Sequence, residues 1–150
     1  MMLVSNVVAA AIGTVAFGAI FGVPKKYYPY CGLIGGAGWA VYVIRWEMLH
    51  CWSEPIVVFL STVLVILLSR LFAIRERCPV TIFLISGILP LVPGAGIYWT
   101  SYYLVTNQLA EASERGFLAV KVAVAIVLGI VFVFEIPQSV FRKIAEGKGK

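Results

Sequence analysis

The segment Leu89-Pro90-Leu91-Val92-Pro93-Gly94-Ala95-Gly96 constrains this chain most, because it interrupts an apolar stretch running from about Val80 to Val105. Pro90, Pro93, Gly94 and Gly96 fall within seven positions and cannot sustain a continuous α-helix. Each proline lacks an N–H and clashes with the preceding turn, and each glycine admits non-helical dihedrals. In water this would be an ordinary loop. In a bilayer, backbone released from helical hydrogen bonds is tolerated only where protein or a wet cavity satisfies it.

Composition decides which solvent applies. The 150 residues are 61% hydrophobic and only 13% charged, more apolar surface than a soluble domain of that size can hide. The expected fold is therefore an all-α polytopic membrane protein, a single transmembrane domain over residues 1–150 with about five spans. These are expected at about 3–23, 31–49, 55–73, 80–105 and 117–141. About twenty residues at helical rise cross a hydrocarbon core of about 30 Å. The fourth span is the broken one, and discontinuous helices of this kind hold substrates in many transporters. Met1–Asn6 carries no Lys or Arg and the apolar run reaches Val23. That is too long for a signal-peptide core, so a retained first span is expected.

The net charge of +5 does not form a nucleic-acid stripe. Basic residues sit in short clusters between apolar segments, where they set orientation. With the first connection inside, the inner segments hold Lys25, Lys26, Arg70, Arg75, Arg77, Arg142, Lys143, Lys148 and Lys150. The outer segments hold Arg45 and Arg115. This asymmetry predicts an outside N-terminus and an inside C-terminus. Trp46, Trp52, Trp99, Tyr102 and Tyr103 then make an outer aromatic belt, with His50 on the same rim.

If Val80 starts near the inner interface, residue 90 lies about 15 Å deep, in the middle of the membrane. A half-helix starting near Ile97 would offer free N–H groups and a positive dipole end to an anion. The carbonyls ending the preceding segment suit a cation. A small carboxylate or a zwitterionic amino acid matches such ends. The candidate substrate-binding residues are Pro90, Pro93, Gly94, Gly96 and Tyr98, with Thr100 and Ser101 as nearby hydroxyls. A proline kink packed silently against its neighbours is the alternative.

Gly32, Gly35, Gly36 and Gly38 give the second span a face suited to close helix packing or to lining a pathway. The third span carries few polar residues and is expected to face lipid over much of its surface, with Val65 a tolerant position. Lys121 and Glu135, in the fifth span, are candidates for a proton or charge relay or for interface anchoring. Cys31, Cys51 and Cys78 have no paired spacing and are expected to be structural thiols. There is no Asp, and no nucleophile triad, phosphate loop or metal-ligand cluster is legible. Catalysis, a cofactor and a metal are not expected.

Two blocks carry a resemblance. Phe21-Gly22-Val23-Pro24, followed by Gly32-Leu33-Ile34-Gly35-Gly36-Ala37-Gly38-Trp39, is one. The run from Cys78-Pro79 through Leu89-Pro90-Leu91-Val92-Pro93-Gly94-Ala95-Gly96-Ile97-Tyr98 is the other. In order and spacing the chain resembles the small, YjjB-like component of the threonine/serine exporter family, which corresponds to the C-terminal half of longer members. The resemblance implies a plasma (inner) membrane secondary transporter subunit. It would export threonine, serine or a dicarboxylate such as succinate, driven by the proton gradient. It also implies a larger membrane subunit as partner. A homo-oligomer, an accessory subunit without its own site, and a channel with a re-entrant constriction are further readings.

Overall fold

The computed structural model describes residues 2–48, 53–138 and 140–141, with side chains described from Val4 to Ile44 and from Ser53 onward within those ranges. Every regular element among them is helical. These are α1 (Met2–Ile20), α2 (Tyr28–Met48), α3 (Glu54–Glu76), α4 (Thr81–Ile88), α5 (Gly94–Val105) and α6 (Leu109–Phe134). Short 3-10 turns occupy Lys25–Tyr27 and Leu89–Leu91. Among the described residues, α3 and α6 are long and apolar enough to cross a membrane. The α4–α5 pair, bent by 46°, is a third such element if it counts as one. The helix over Val4–Ile20 is apolar but shorter. Outward-facing Val4, Ile12, Ile20, Val120 and Phe132 are exposed hydrophobics on α1 and α6. Helices apolar on their outer as well as inner faces belong in lipid, and the chain is a membrane protein.

The third helix is the centre of the bundle, and this corrects the expectation that it faces lipid. Val57, Val58, Ser61, Thr62, Val65, Ile66, Ser69, Arg70 and Ala73 are all buried. Hydropathy cannot separate a lipid-facing helix from a helix packed among apolar neighbours, because both demand apolar side chains. Thr62 packs against Gly129, whose missing Cβ would come within 3.0 Å of it. Phe59 meets Phe132, with ring centroids 6.2 Å apart. Val58 shares a cavity wall with Val122 near one end of α3, and Arg70 reaches Val133 and Ile136 near the other, so α6 runs alongside α3 in the same direction. On another side α4 runs the opposite way, with Phe83 beside Phe72 and Gly87 against Val65 and Ile34.

The glycines of α2 are packing devices in this arrangement. A Cβ at Gly35 would overlap the Thr14 side chain on α1, and one at Gly38 would overlap Val65 on α3. At Gly32 it would sit 3.2 Å from Val15, and at Gly36 3.4 Å from Ala11. Val65 is thus wedged against Gly38 and is fully buried. Val65→Leu is therefore expected to lower stability by about 1–3 kcal/mol through overpacking. Val124→Leu, at an exposed position on α6, should be close to neutral. Thermal unfolding of the two purified variants checks the contrast.

Helix ends also depart from expectation. The last long helix starts at Leu109 and ends at Phe134, where the sequence suggested 117 to 141. Its early start follows from Leu, Ala, Glu and Arg, all good helix formers, with Glu111 in the favourable first turn. Its early end follows from Pro137, which cannot donate to the preceding turn. The carbonyls so released are met by Arg70. Its guanidinium donates to Val133 O at 2.5 Å and Ile136 O at 2.8 Å, with the Phe141 ring 4.3 Å away. Arg70 is buried rather than an exposed basic anchor.

At the same end of the bundle, Tyr30 donates to Glu76 at 2.9 Å and Tyr27 meets Phe83 edge-on. Cys31 and Cys78 are free thiols, and burial pushes the Cys78 thiol up from its ordinary value, as befits an inert group. Cys51, His50, Trp52, the side chains of Arg45 and Trp46, and Arg142, Lys143, Lys148 and Lys150 lie outside the described residues.

Candidate functional site

The helix of α4 tightens into the 3-10 turn Leu89–Leu91, then opens at Val92, whose backbone is extended. Pro93 adopts φ −75° and ψ 53°, and the Gly94 N–H donates to Val92 O at 2.7 Å. These are the marks of an inverse γ-turn. Helix α5 resumes at Gly94. The interruption is therefore narrower than residues 90–96, and Gly94 and Gly96 belong to the first turn of α5. The Ile97 N–H donates to Pro93 O at 3.0 Å, leaving Ala95 and Gly96 as first-turn N–H groups without an intrahelical acceptor.

The break lies beside the first turn of α3 rather than halfway along it. It walls a cavity of about 310 Å³ together with Trp39 and Tyr42 of α2 and Glu54 and Val58 of α3. Residues 90–96 and Trp99 form another wall, and Arg115, Leu118, Ala119 and Val122 of α6 complete it. Helix α4 brings Phe83 to Phe72 and Gly87 to Val65, so the break reaches Val58, near the start of α3.

Pro90, Pro93, Gly94 and Gly96 all line the cavity. Tyr98 does not: it is 62% exposed on the far face of α5, ring to ring with Trp99. The hydroxyls of Thr100 and Ser101 are taken up by Gly96 O and Ile97 O of their own helix. The two glycines of the break differ physically. A Cβ at Gly96 would sit 3.2 Å from that of Ala119, so Gly96 brings α5 close to α6. A Cβ at Gly94 would meet nothing within 4 Å, and Gly94 has no positive φ. Neither packing nor backbone conformation demands glycine there.

Lys121 and Glu135 are not brought to the cavity. Lys121 is exposed, its ammonium 4.4 Å from the Phe117 ring centroid, at an outer groove with Pro55, Ile56 and Phe59. Glu135 is exposed at the end of α6, fourteen residues on, or about 21 Å at helical rise.

The sequence reading missed the charged members of the wall. Glu54 accepts a hydrogen bond from the Tyr42 hydroxyl at 3.0 Å, and Tyr42 stacks on Trp39 with centroids 4.9 Å apart. Arg115 faces the same space from α6. In the sequence Arg115 counts only as an outer-segment charge, and Glu54, just before the third apolar segment, carries no assignment. Deeper on α3, one turn past Val58, Ser61 and Thr62 are buried hydroxyls without a hydrogen-bond partner, whereas Thr14, Ser69 and Ser86 bond back to their own helices.

The family described as "Threonine/Serine exporter, ThrE" matches residues 6–136 of the chain. The chain belongs to this threonine/serine exporter family. An uncharacterized protein of Haemophilus influenzae is similar to it, at 26% identity over 147 residues, covering 94% of this chain and 48% of the relative. The chain thus spans about half the length of that relative. No solved structure matches it. The segment shared with the exporter family runs from α1 to the end of α6 and includes every residue of the cavity wall. The family is one of transporters, not of enzymes.

Proposed function

We propose that this chain is a subunit of a secondary exporter of small amino acids such as threonine and serine, with its substrate site in the cavity at the Val92–Pro93 break. Export is across the plasma membrane and draws on the proton gradient. The observation that carries the reading is Gly94: it lines the cavity, its backbone and packing would accept a side chain, and yet the position holds none. An empty wall beside the N–H groups of Ala95 and Gly96 suits close approach of a substrate carboxylate. The volume lies at the small end of the about 300–1,000 Å³ typical of ligand pockets, as a small solute requires.

In this reading the five spans are α1, α2, α3, the α4–α5 pair and α6. The connections holding Lys25, Lys26, Arg75 and Arg77 lie inside, and the N-terminus lies outside. The cavity then opens in the outer half of the membrane, where an exported solute leaves. Ser61 and Thr62 are the next polar groups inward, and unbonded hydroxyls in apolar packing favour a passage that water or substrate enters. A larger membrane subunit of the same family is its partner in this reading.

Gly94→Leu tests the site. Its side chain starts in open space, so folding and assembly should persist while export of threonine falls at least about tenfold, as expected when a site is filled. Measured in cells or proteoliposomes containing the partner subunit, unchanged export with leucine at position 94 would remove the break from the mechanism and favour the accessory-subunit reading.

A further inference from the structure

We infer that Glu54 and Arg115 are the specificity pair of this cavity, the Glu54 carboxylate receiving the ammonium of a small zwitterion and the Arg115 guanidinium its carboxylate. The inference rests on the cavity being the substrate site and goes on to say what the site reads. Among the described residues, Glu54 and Arg115 are the charged side chains on its wall, one contributed by the first turn of α3 and the other by α6. Both residues line the same space, Glu54 half-buried and Arg115 exposed.

Glu54 is held in place. Tyr42 donates to one of its oxygens, and Trp39, stacked on Tyr42, fixes that donor from behind. A phenol is a neutral donor, so it orients the carboxylate without cancelling its charge. The remaining lone pairs stay free for an ammonium. Arg115 offers the fork geometry that matches a carboxylate, and the N–H groups of Ala95 and Gly96 add donors on the same wall. A zwitterion neutralises both ends at once. A dicarboxylate would set its second carboxylate against Glu54, and like charges brought together in a confined site repel. The pair therefore selects amino acids over dicarboxylates.

The test uses the full chain purified with its partner subunit and three probes in a binding assay. These are L-threonine, 3-hydroxybutyrate (threonine without its ammonium) and L-threoninamide (threonine without its carboxylate charge). The wild type should prefer L-threonine to both. Glu54→Gln should weaken L-threonine at least about tenfold and leave 3-hydroxybutyrate unchanged; Arg115→Gln should weaken L-threonine similarly and leave L-threoninamide unchanged. Tyr42→Phe keeps the charge but frees the carboxylate, and should weaken L-threonine about threefold without moving 3-hydroxybutyrate. It serves if Glu54→Gln fails to assemble.

Preference ratios that survive these substitutions overturn the assignment, as does a wild type that takes succinate ahead of L-threonine. Gly94→Leu separates the two levels of the argument. If it blocks binding while the ratios stay fixed, only the charged pair falls. If it leaves binding intact, the cavity itself is the wrong site.

Discussion

Gly35→Ala is expected to be among the most damaging single-methyl changes in this chain, lowering stability by about 1–3 kcal/mol or more. The methyl would fall on the side chain of Thr14, which is fully buried and hydrogen-bonded back to Ala10 O at 2.8 Å. Thr14 therefore cannot rotate away without leaving its hydroxyl unsatisfied in an apolar interface, and the helices must separate. Helix propensity argues the other way, since alanine favours helix over glycine by about 1 kcal/mol; overlap with a buried side chain outweighs it. The reciprocal change is diagnostic. Thr14→Gly combined with Gly35→Ala moves the missing side chain from α2 to α1 and should recover much of the loss. Gly94→Ala, made in parallel, should leave thermal unfolding unchanged, because nothing lies within 4 Å of the new methyl. Equal stability for Gly35→Ala and the wild type would mean that α1 and α2 do not meet through this face.

That contrast between two glycines marks how far the sequence could be read. A cluster such as Gly32, Gly35, Gly36 and Gly38 admits packing or a pathway, and only the neighbours decide. Thr14 and Val65 occupy the space that a pathway would need. The Pro90–Gly96 interruption was legible because proline and glycine act on their own backbone, whatever surrounds them. Its place beside the start of α3 was not, because that depends on how α4 crosses α3, which is a property of packing rather than of local propensity. For the same reason hydropathy found α3 but not its central place. Glu54 and Arg115 escaped notice since a charge flanking an apolar segment looks the same whether it faces water, a headgroup or a cavity. One signal was available: Glu54 directly precedes Pro55, so its backbone direction into the helix is fixed, and a carboxylate at that point belongs to the first turn of α3.

Arg70→Met is expected to cost about 2–4 kcal/mol, although it replaces a buried cation by an apolar side chain of similar length. The sequence placed Arg70 among exposed inner-side charges, where its loss would matter little. In the structure it sits on α3 and binds the end of α6. Pro137 stops that helix, and the carbonyl of Ile136 then has Arg70 as its donor at 2.8 Å. Val133 O is less dependent, because the Ile136 N–H also reaches it at 3.2 Å. Removing the guanidinium thus strands chiefly one carbonyl in an apolar setting. It also removes the cation from the Phe141 ring at 4.3 Å and the Phe134 ring at 5.5 Å. A positive charge at a helix C-terminus further complements the dipole. Relief of the arginine's own desolvation works in the opposite direction and sets the upper bound on the loss. Arg70→Lys keeps the charge without the fork, so it should recover only part of the stability. Amide hydrogen exchange gives the local readout: in Arg70→Met, protection should fall first in the last turns of α6, from about Val131 onward, while α1 and α2 keep theirs. If α6 stays protected and the unfolding temperature is unchanged, the Arg70 contact does not hold the helix end.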